Sequence, residues 1–223
     1  MIPLRDVIPS RTTPYITITI IVLNALAWLF ELSLDPNDLN RFLTIYGVVP
    51  AYFSAPTIIT SMFLHGGWMH IIGNMWYLWI FGDNVEDRVG HGRFIVFYLL
   101  CGTAAALGQV FMDPTSTLPT IGASGAIAGV MGAYFVLYPQ SRVLTLVPLI
   151  IIWEVIELPA YVLLGFWFLL QLFSAGSIAV TASSHGSGGV AFAAHVAGFL
   201  VGMGGVFVFR KRDTNRWEGA DSY

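Results

Sequence analysis

Charge is what this sequence has least of. Only 10% of its 223 residues are charged, against about a quarter in a soluble domain. Hydrophobic residues make up 56%, so the scarcity of charge reads as a chain that crosses a membrane several times. Its length allows five or six spans with short connections. The basic residues form no stripe outside the two ends, which leaves nucleic acid no surface to bind. Cysteine is nearly absent. Cys101 alone excludes an internal disulfide, and no Cys/His spacing suits zinc; it reads as a packing residue. The first apolar run does not read as a cleavable leader. An Ala25-x-Ala27 pair lies in mid-run with Trp28, Leu29 and Phe30 behind it, whereas a cleavage site follows the apolar core. The first run therefore reads as a retained span.

What is there are six apolar runs, at about residues 16–32, 68–82, 94–112, 124–138, 158–173 and 191–209. The mixed connection 33–67 holds Tyr46, Tyr52 and Phe53, which suit headgroup depth. A charge-rich link, 83–93, joins the second and third runs, and a Pro/Thr/Ser loop, 113–121, precedes the fourth. The stretch 143–173 is too long for one upright helix and is broken by Pro148 and Pro159. It reads as an interfacial segment carrying Glu154 and Glu157, then a fifth span. Residues 174–190 have the Gly/Ser/Ala composition of a flexible loop. The expectation is an all-α polytopic membrane bundle of six transmembrane helices over residues 15–210. Tails 1–14 and 211–223 flank it.

Six spans put both tails on one side. Arg5, Arg11, Arg88, Arg93, Arg142, Arg210, Lys211, Arg212 and Arg216 then share that side, and only Arg41 lies on the other. This segregation makes the shared side cytoplasmic; an odd span count destroys it. The orientation has a chemical consequence. Runs two, four and six all enter from the outer face, so their first turns lie at similar depth. Those turns hold His70 and Asn74, then Ser124, then His195. Polar groups within a membrane face a cavity or one another.

Each has a plain reading and a chemical one. Ser124 is either a helix cap or a nucleophile, and His195 either an interhelical bond or its base. A neutral imidazole within reach of a serine takes its proton and later returns it to a leaving amine. Gly125, Gly129 and Gly132 on one run, and Ala194, Gly198 and Gly202 on the other, form small-residue stripes that let two backbones approach. His70 and Asn74, four apart, share a helix face. They are either interhelical glue or donors for an oxyanion, with the Ser124 backbone N–H, at a helix start, as a third. No acid occurs in these first turns, which predicts a Ser–His dyad whose ring is oriented by packing or by a neutral hydrogen bond. His65 beside Gly66-Gly67 reads as a supporting loop residue, His91 as part of the cytoplasmic link and His185 as part of the flexible loop. Ala126 stands where a G-x-S-x-G elbow needs glycine, which argues against an α/β-hydrolase.

The pattern resembles the rhomboid family of intramembrane serine proteases. The resemblance rests on His70-x-x-x-Asn74, Gly122-x-Ser124-Gly125 and Ala194-His195-x-x-Gly198-x-x-x-Gly202. The runs Met62-Phe63-Leu64-His65 and Gly82-x-x-x-Glu86-x-x-x-Gly90 also look like the family. It implies Ser124 as nucleophile, His195 as base, and His70, Asn74 and the Ser124 N–H as oxyanion hole. It further implies transmembrane proteins as substrates, cut near the outer face, with no metal or cofactor. The fifth span and loop 174–190 would be the gate and cap. A Trp-Arg pair that some relatives carry in the first outer loop is absent; here there is Arg41-Phe42. The expected location is a bacterial-type plasma membrane. Two other readings compete with this one. An inactive rhomboid-like protein binding membrane clients typically lacks the serine or the histidine, and both are present. A small transporter would show an inverted repeat of broken helices, and none is apparent.

Overall fold

The computed structural model describes residues 1–149, 152–181 and 191–211. Among them are eight α-helices: α1 (Tyr15–Glu31), α2 (Pro36–Tyr46), α3 (Thr57–Thr60), α4 (Trp68–Val89), α5 (His91–Met112), α6 (Ser124–Leu137), α7 (Ala160–Thr181) and α8 (Phe192–Phe209). Three strands accompany them, β1 (Ile2–Asp6), β2 (Arg142–Leu149) and β3 (Ile152–Pro159). Helices α5 and α8 are long and apolar enough to cross a membrane, and α1, α6 and the first part of α7 are shorter apolar helices.

The core is three helices that approach through glycine. Helices α6 and α8 run parallel: Gly198 lies against Gly125 and Gly202 against Gly129, and a methyl group on either Gly198 or Gly202 would overlap the facing carbonyl oxygen. Helix α5 lies antiparallel to both. Its Ala105 and Cys101 contact Gly125 and Gly129, while Gly108 is so close to α8 that a methyl there would stand 2.6 Å from the Ala197 side chain. The last turns of α8 pack on Phe97 through Gly205 and Phe209. Ala-, Gly- and Cys-sized side chains therefore set the spacing. Cys101 is buried here.

Helix α1 has no capping side chain of its own, since Pro14 precedes it. Its orphan N–H groups are met from another helix. The buried carboxylate of Glu86 accepts from the Ile16 N–H (2.9 Å), the Thr17 N–H (2.8 Å) and the Thr17 hydroxyl (2.7 Å). Gly82, one turn before Glu86, lets Thr17 close on α4; a methyl at Gly82 would lie 3.0 Å from its hydroxyl. His91 Nδ1 is 2.5 Å from Oε1 of the same carboxylate. The Gly82, Glu86, Gly90 spacing is thus a helix-docking device, with Gly90 (φ +93°) making the turn into α5.

Two expectations from the sequence need correction. Residues 83–93 are not a link: α4 continues to Val89, and only Gly90 interrupts it. The charges that argued for a loop are held by the N-terminal segment. Ser10 donates to Asp83, and the Thr12 N–H and hydroxyl donate to Asp87. The fold is mostly helical, as expected, but a small sheet accompanies the helices. The stretch 143–157, expected as an interfacial segment, contributes the antiparallel pair β2 and β3, and β1 pairs with β2 to complete a sheet in the order β1-β2-β3. Residues 2–6, assigned to a tail, are its edge. The branched and aromatic residues Val143, Thr145, Val147, Trp153, Val155 and Ile156 favour strand, and burial along β2 alternates, with Val143 and Thr145 inside. Pro148 and Pro159, taken as helix breaks, fall at strand ends. Glu154 and Glu157 are exposed, and Glu157 pairs with Arg142 at 3.0 Å. The sheet is tied to the helices by Trp76 Nε1–H donating to the Pro3 carbonyl (2.6 Å) and by the Tyr134 hydroxyl donating to Asp6 (2.7 Å). Helix α7 runs on to Thr181, through the first part of the stretch 174–190 expected as a loop; residues 182–190 lie outside the described residues.

Two measurements follow from these contacts. Glu86→Ala leaves three α1 donors without their acceptor and is expected to lower stability by about 3 kcal/mol or more, read as the thermal midpoint of the purified protein, with Glu86→Gln intermediate. Burial raises the Asp6 carboxyl from 3.8 to about 6. The folded chain then holds this proton more tightly than the unfolded one, so the Asp6 contribution to stability falls as pH rises from about 4 to 6. Asp6→Asn should flatten the slope of stability against pH over that interval.

Candidate active site

Ser124 opens α6, and the chain reaches it through a tight approach. Thr120 pairs with Val48 in both directions (2.8 and 3.0 Å), and the Gly122 N–H donates to the Ser61 carbonyl (2.8 Å). Gly122 takes φ +120°, a conformation that favours glycine. It needs glycine for space as well: a methyl there would stand 2.6 Å from His70 Nε2. The Gly-x-Ser-Gly run therefore brings main chain against His70 immediately before the serine.

Because α6 and α8 are parallel and in glycine contact, their first turns lie side by side. His195, on the first turn of α8, has Nε2 2.8 Å from Ser124 Oγ. The ring is 8% exposed. Its other nitrogen, Nδ1, is 2.8 Å from Gln171 Oε1 on α7, and Trp167, one turn earlier on α7, packs against the ring at 5.7 Å between centroids. Ser124, His195 and the glycines Gly125, Gly129, Gly198 and Gly202 named from sequence thus lie along one α6–α8 contact.

His70 and Asn74 stand on the first turns of α4, at the same end. The Gly66 N–H donates to His70 Nδ1 (3.3 Å), which leaves Nε2 as the protonated nitrogen of a neutral ring, facing Gly122. Asn74 Nδ2 lies 3.6 Å from the position a methyl on Gly122 would take and 3.0 Å from His65 Nε2. Its amide has a second N–H beyond the one given to His65. His65 is 1% exposed, and its main-chain N–H donates to both Glu31 oxygens (3.2 and 3.3 Å). An acid therefore does reach this end of the molecule, but it braces the His65 main chain and not His195. The Ser124 N–H belongs to the unpaired first turn of α6. A cavity of about 30 Å³ lies beside Ser124, lined by Gly102, Ala105, Ala126 and Met62, room for one water molecule. Gly73 faces open space. His91 sits at the other end of the bundle with Glu86, and His185 falls outside the described residues.

Sequence reading missed Gln171 and Trp167. The available signal was one amide in the run Leu169-Leu170-Gln171-Leu172-Phe173, since a polar side chain inside an apolar helix needs a partner. Among the described residues no three His, Cys, Asp or Glu side chains gather as a metal site. What gathers is a hydroxyl on an imidazole, flanked by N–H donors on α4 and at the start of α6. That set can transfer an acyl group.

A Rhomboid domain family model matches residues 53–212. Rhomboid-like protein 11, chloroplastic, of Arabidopsis thaliana is 26% identical over 201 residues, 84% of this chain and 66% of that protein. Rhomboid protein 1, mitochondrial, of Saccharomyces cerevisiae is 32% identical over 113 residues, 48% of this chain and 33% of that protein. The putative rhomboid protease YdcA of Bacillus subtilis is 31% identical over 127 residues, 56% and 62% of the two chains. The matched stretches thus span between 33% and 66% of the lengths of these relatives.

The glycine contacts predict opposite effects for two neighbours on α8. Gly202→Ala collides with the Gly129 carbonyl and should push α8 off α6, lowering the thermal midpoint. Gly204→Ala meets nothing within 4 Å and should be neutral or stabilising by up to about 1 kcal/mol.

Proposed function

The chain belongs to the rhomboid family, an intramembrane protease family, and from that premise we propose that it is an active serine endopeptidase of transmembrane substrates. The observation that carries the reading is the 2.8 Å contact between Ser124 Oγ and His195 Nε2. In this reading α1, α4, α5, α6, α7 and α8 are six spans, and both termini are cytoplasmic. Support comes from the nine cations that this arrangement collects on one side. The membrane is a bacterial-type plasma membrane, and the bond cut lies near its outer face, where Ser124 and His195 meet.

The chemistry follows from the geometry. Ser124 Oγ attacks the scissile carbonyl carbon while His195 Nε2 takes its proton. The carbonyl oxygen becomes an oxyanion, met by the N–H groups of His70 Nε2, Asn74 Nδ2 and the Ser124 backbone. Collapse of the adduct breaks the C–N bond, and the imidazolium gives its proton to the leaving amine. Water then enters, His195 takes its proton, and the hydroxide oxygen attacks the ester carbonyl. Ser124 leaves with that proton, and the new carboxyl end is released. The cavity beside Ser124, with its glycine and alanine lining, supports a small residue ahead of the cut and a route for the water.

Purified Ser124→Ala and His195→Ala should insert and fold like the parent yet cut a transmembrane reporter at least about 10³-fold more slowly. Asn74→Ala should lower kcat by about 10²-fold. Undiminished cleavage by Ser124→Ala would sink the assignment.

A further inference from the structure

We propose that Gln171 is a positioning residue for the reaction: its amide oxygen holds His195 in the tautomer that can act as base. The inference rests on the Ser124–His195 reading and extends it to a third helix.

For Nε2 to accept a proton from Ser124, that nitrogen must be bare. The single proton of a neutral imidazole then sits on Nδ1, and a buried N–H needs an acceptor. The Gln171 Oε1 atom, 2.8 Å away, supplies it. In hydrolases with a Ser-His-Asp triad a carboxylate has this task. Here it would be a charge set in the apolar run Leu169–Phe173, where a lone carboxylate is costly. A neutral amide offers an acceptor without that charge. Among the described residues no acid is bonded to His195, and the amide takes the place of one.

The place of Gln171 on α7 adds a second restraint. Trp167 and Gln171 are four residues apart and so share one face of the helix. The indole packs against the imidazole with 36° between ring planes, while the amide fixes rotation about the ring's own axis. Together they define both the plane and the direction of the ring. An amide also has a donor arm. Turned over, Gln171 would donate a hydrogen bond to a bare Nδ1 and favour the tautomer with its proton on Nε2, where it blocks the base. A carboxylate at this position has no donor arm, which makes Gln171→Glu informative, and Gln171→Met keeps the length of the side chain while removing the strong acceptor.

The test uses the full chain in liposomes with a transmembrane reporter. It measures kcat, KM, their pH dependence and the rate of fluorophosphonate labelling of Ser124. Gln171→Met is expected to lower kcat by about 10- to 100-fold, with KM unchanged and labelling slowed in step. Gln171→Glu should keep activity at alkaline pH, with the acid limb of its rate profile moved to higher pH, because a carboxylate beside the ring favours the imidazolium. A Met variant with parental kcat and labelling rate overturns the proposal. If that variant does not fold, an acid limb of Gln171→Glu in the parental position overturns it instead. Failure of the parent itself to label at Ser124 overturns the dyad reading and this one with it. Normal parental labelling with unaffected Gln171 variants overturns this one alone.

Discussion

The carbonyl oxygens of Gly125 and Gly129 sit where a side chain on the facing helix would have to be. The glycines Gly198 and Gly202 leave that space empty, so α6 and α8 meet backbone to backbone. The rest of the candidate site depends on this spacing. A serine side chain is short, and a 2.8 Å bond to a histidine on another helix requires the two backbones to be close. Leu- or Val-sized residues at the contact would hold the helices apart and leave Ser124 an ordinary first-turn residue. Helix α5 backs the pair through Ala105 and Cys101, so the small residues are needed on three helices at once.

The site was legible in the sequence to the extent that it is written in helix periodicity. Ser124, His195, His70 and Asn74 occur at matching depth of alternate apolar runs, and the glycine stripes recur at four-residue spacing. Such signals survive folding because a helix fixes which residues share a face. Gln171 carries no such repeat. One amide in an apolar run says that a partner exists but not where, and only the antiparallel packing of α7 on α8 brings it to His195. Glu31 is the same case. Its role depends on α1 lying antiparallel to α4, which sets its carboxylate under the His65 N–H.

The strands were illegible for a different reason. In 143–157 nearly every residue is apolar, and a run without alternation does not distinguish strand from helix by periodicity. The branched residues were the better guide. The charged end of α4 misled in the other direction: Asp83, Glu86 and Asp87 look like a solvated link until the segment 10–17 is laid against them. One buried carboxylate there serves as the cap that α1 lacks, which is why a charge can sit inside the bundle. Acids thus gather at the end of α4 remote from Ser124, where they meet main-chain N–H groups. The Ser124 end relies mainly on neutral donors and acceptors.

The pairing of β1 with β2 also has a bearing on how the molecule is made. Ile2 lies opposite Leu146, and Asp6 opposite Val143. A ribosome adding about 5–20 residues per second needs on the order of ten seconds to pass from one partner to the other. During that interval α1, α4, α5 and α6 are all synthesised, while Ile2 and Leu4 have no strand to join. Strand β1, translated before all of these helices, is therefore secured late, and closing the sheet becomes a step that follows delivery of four helices.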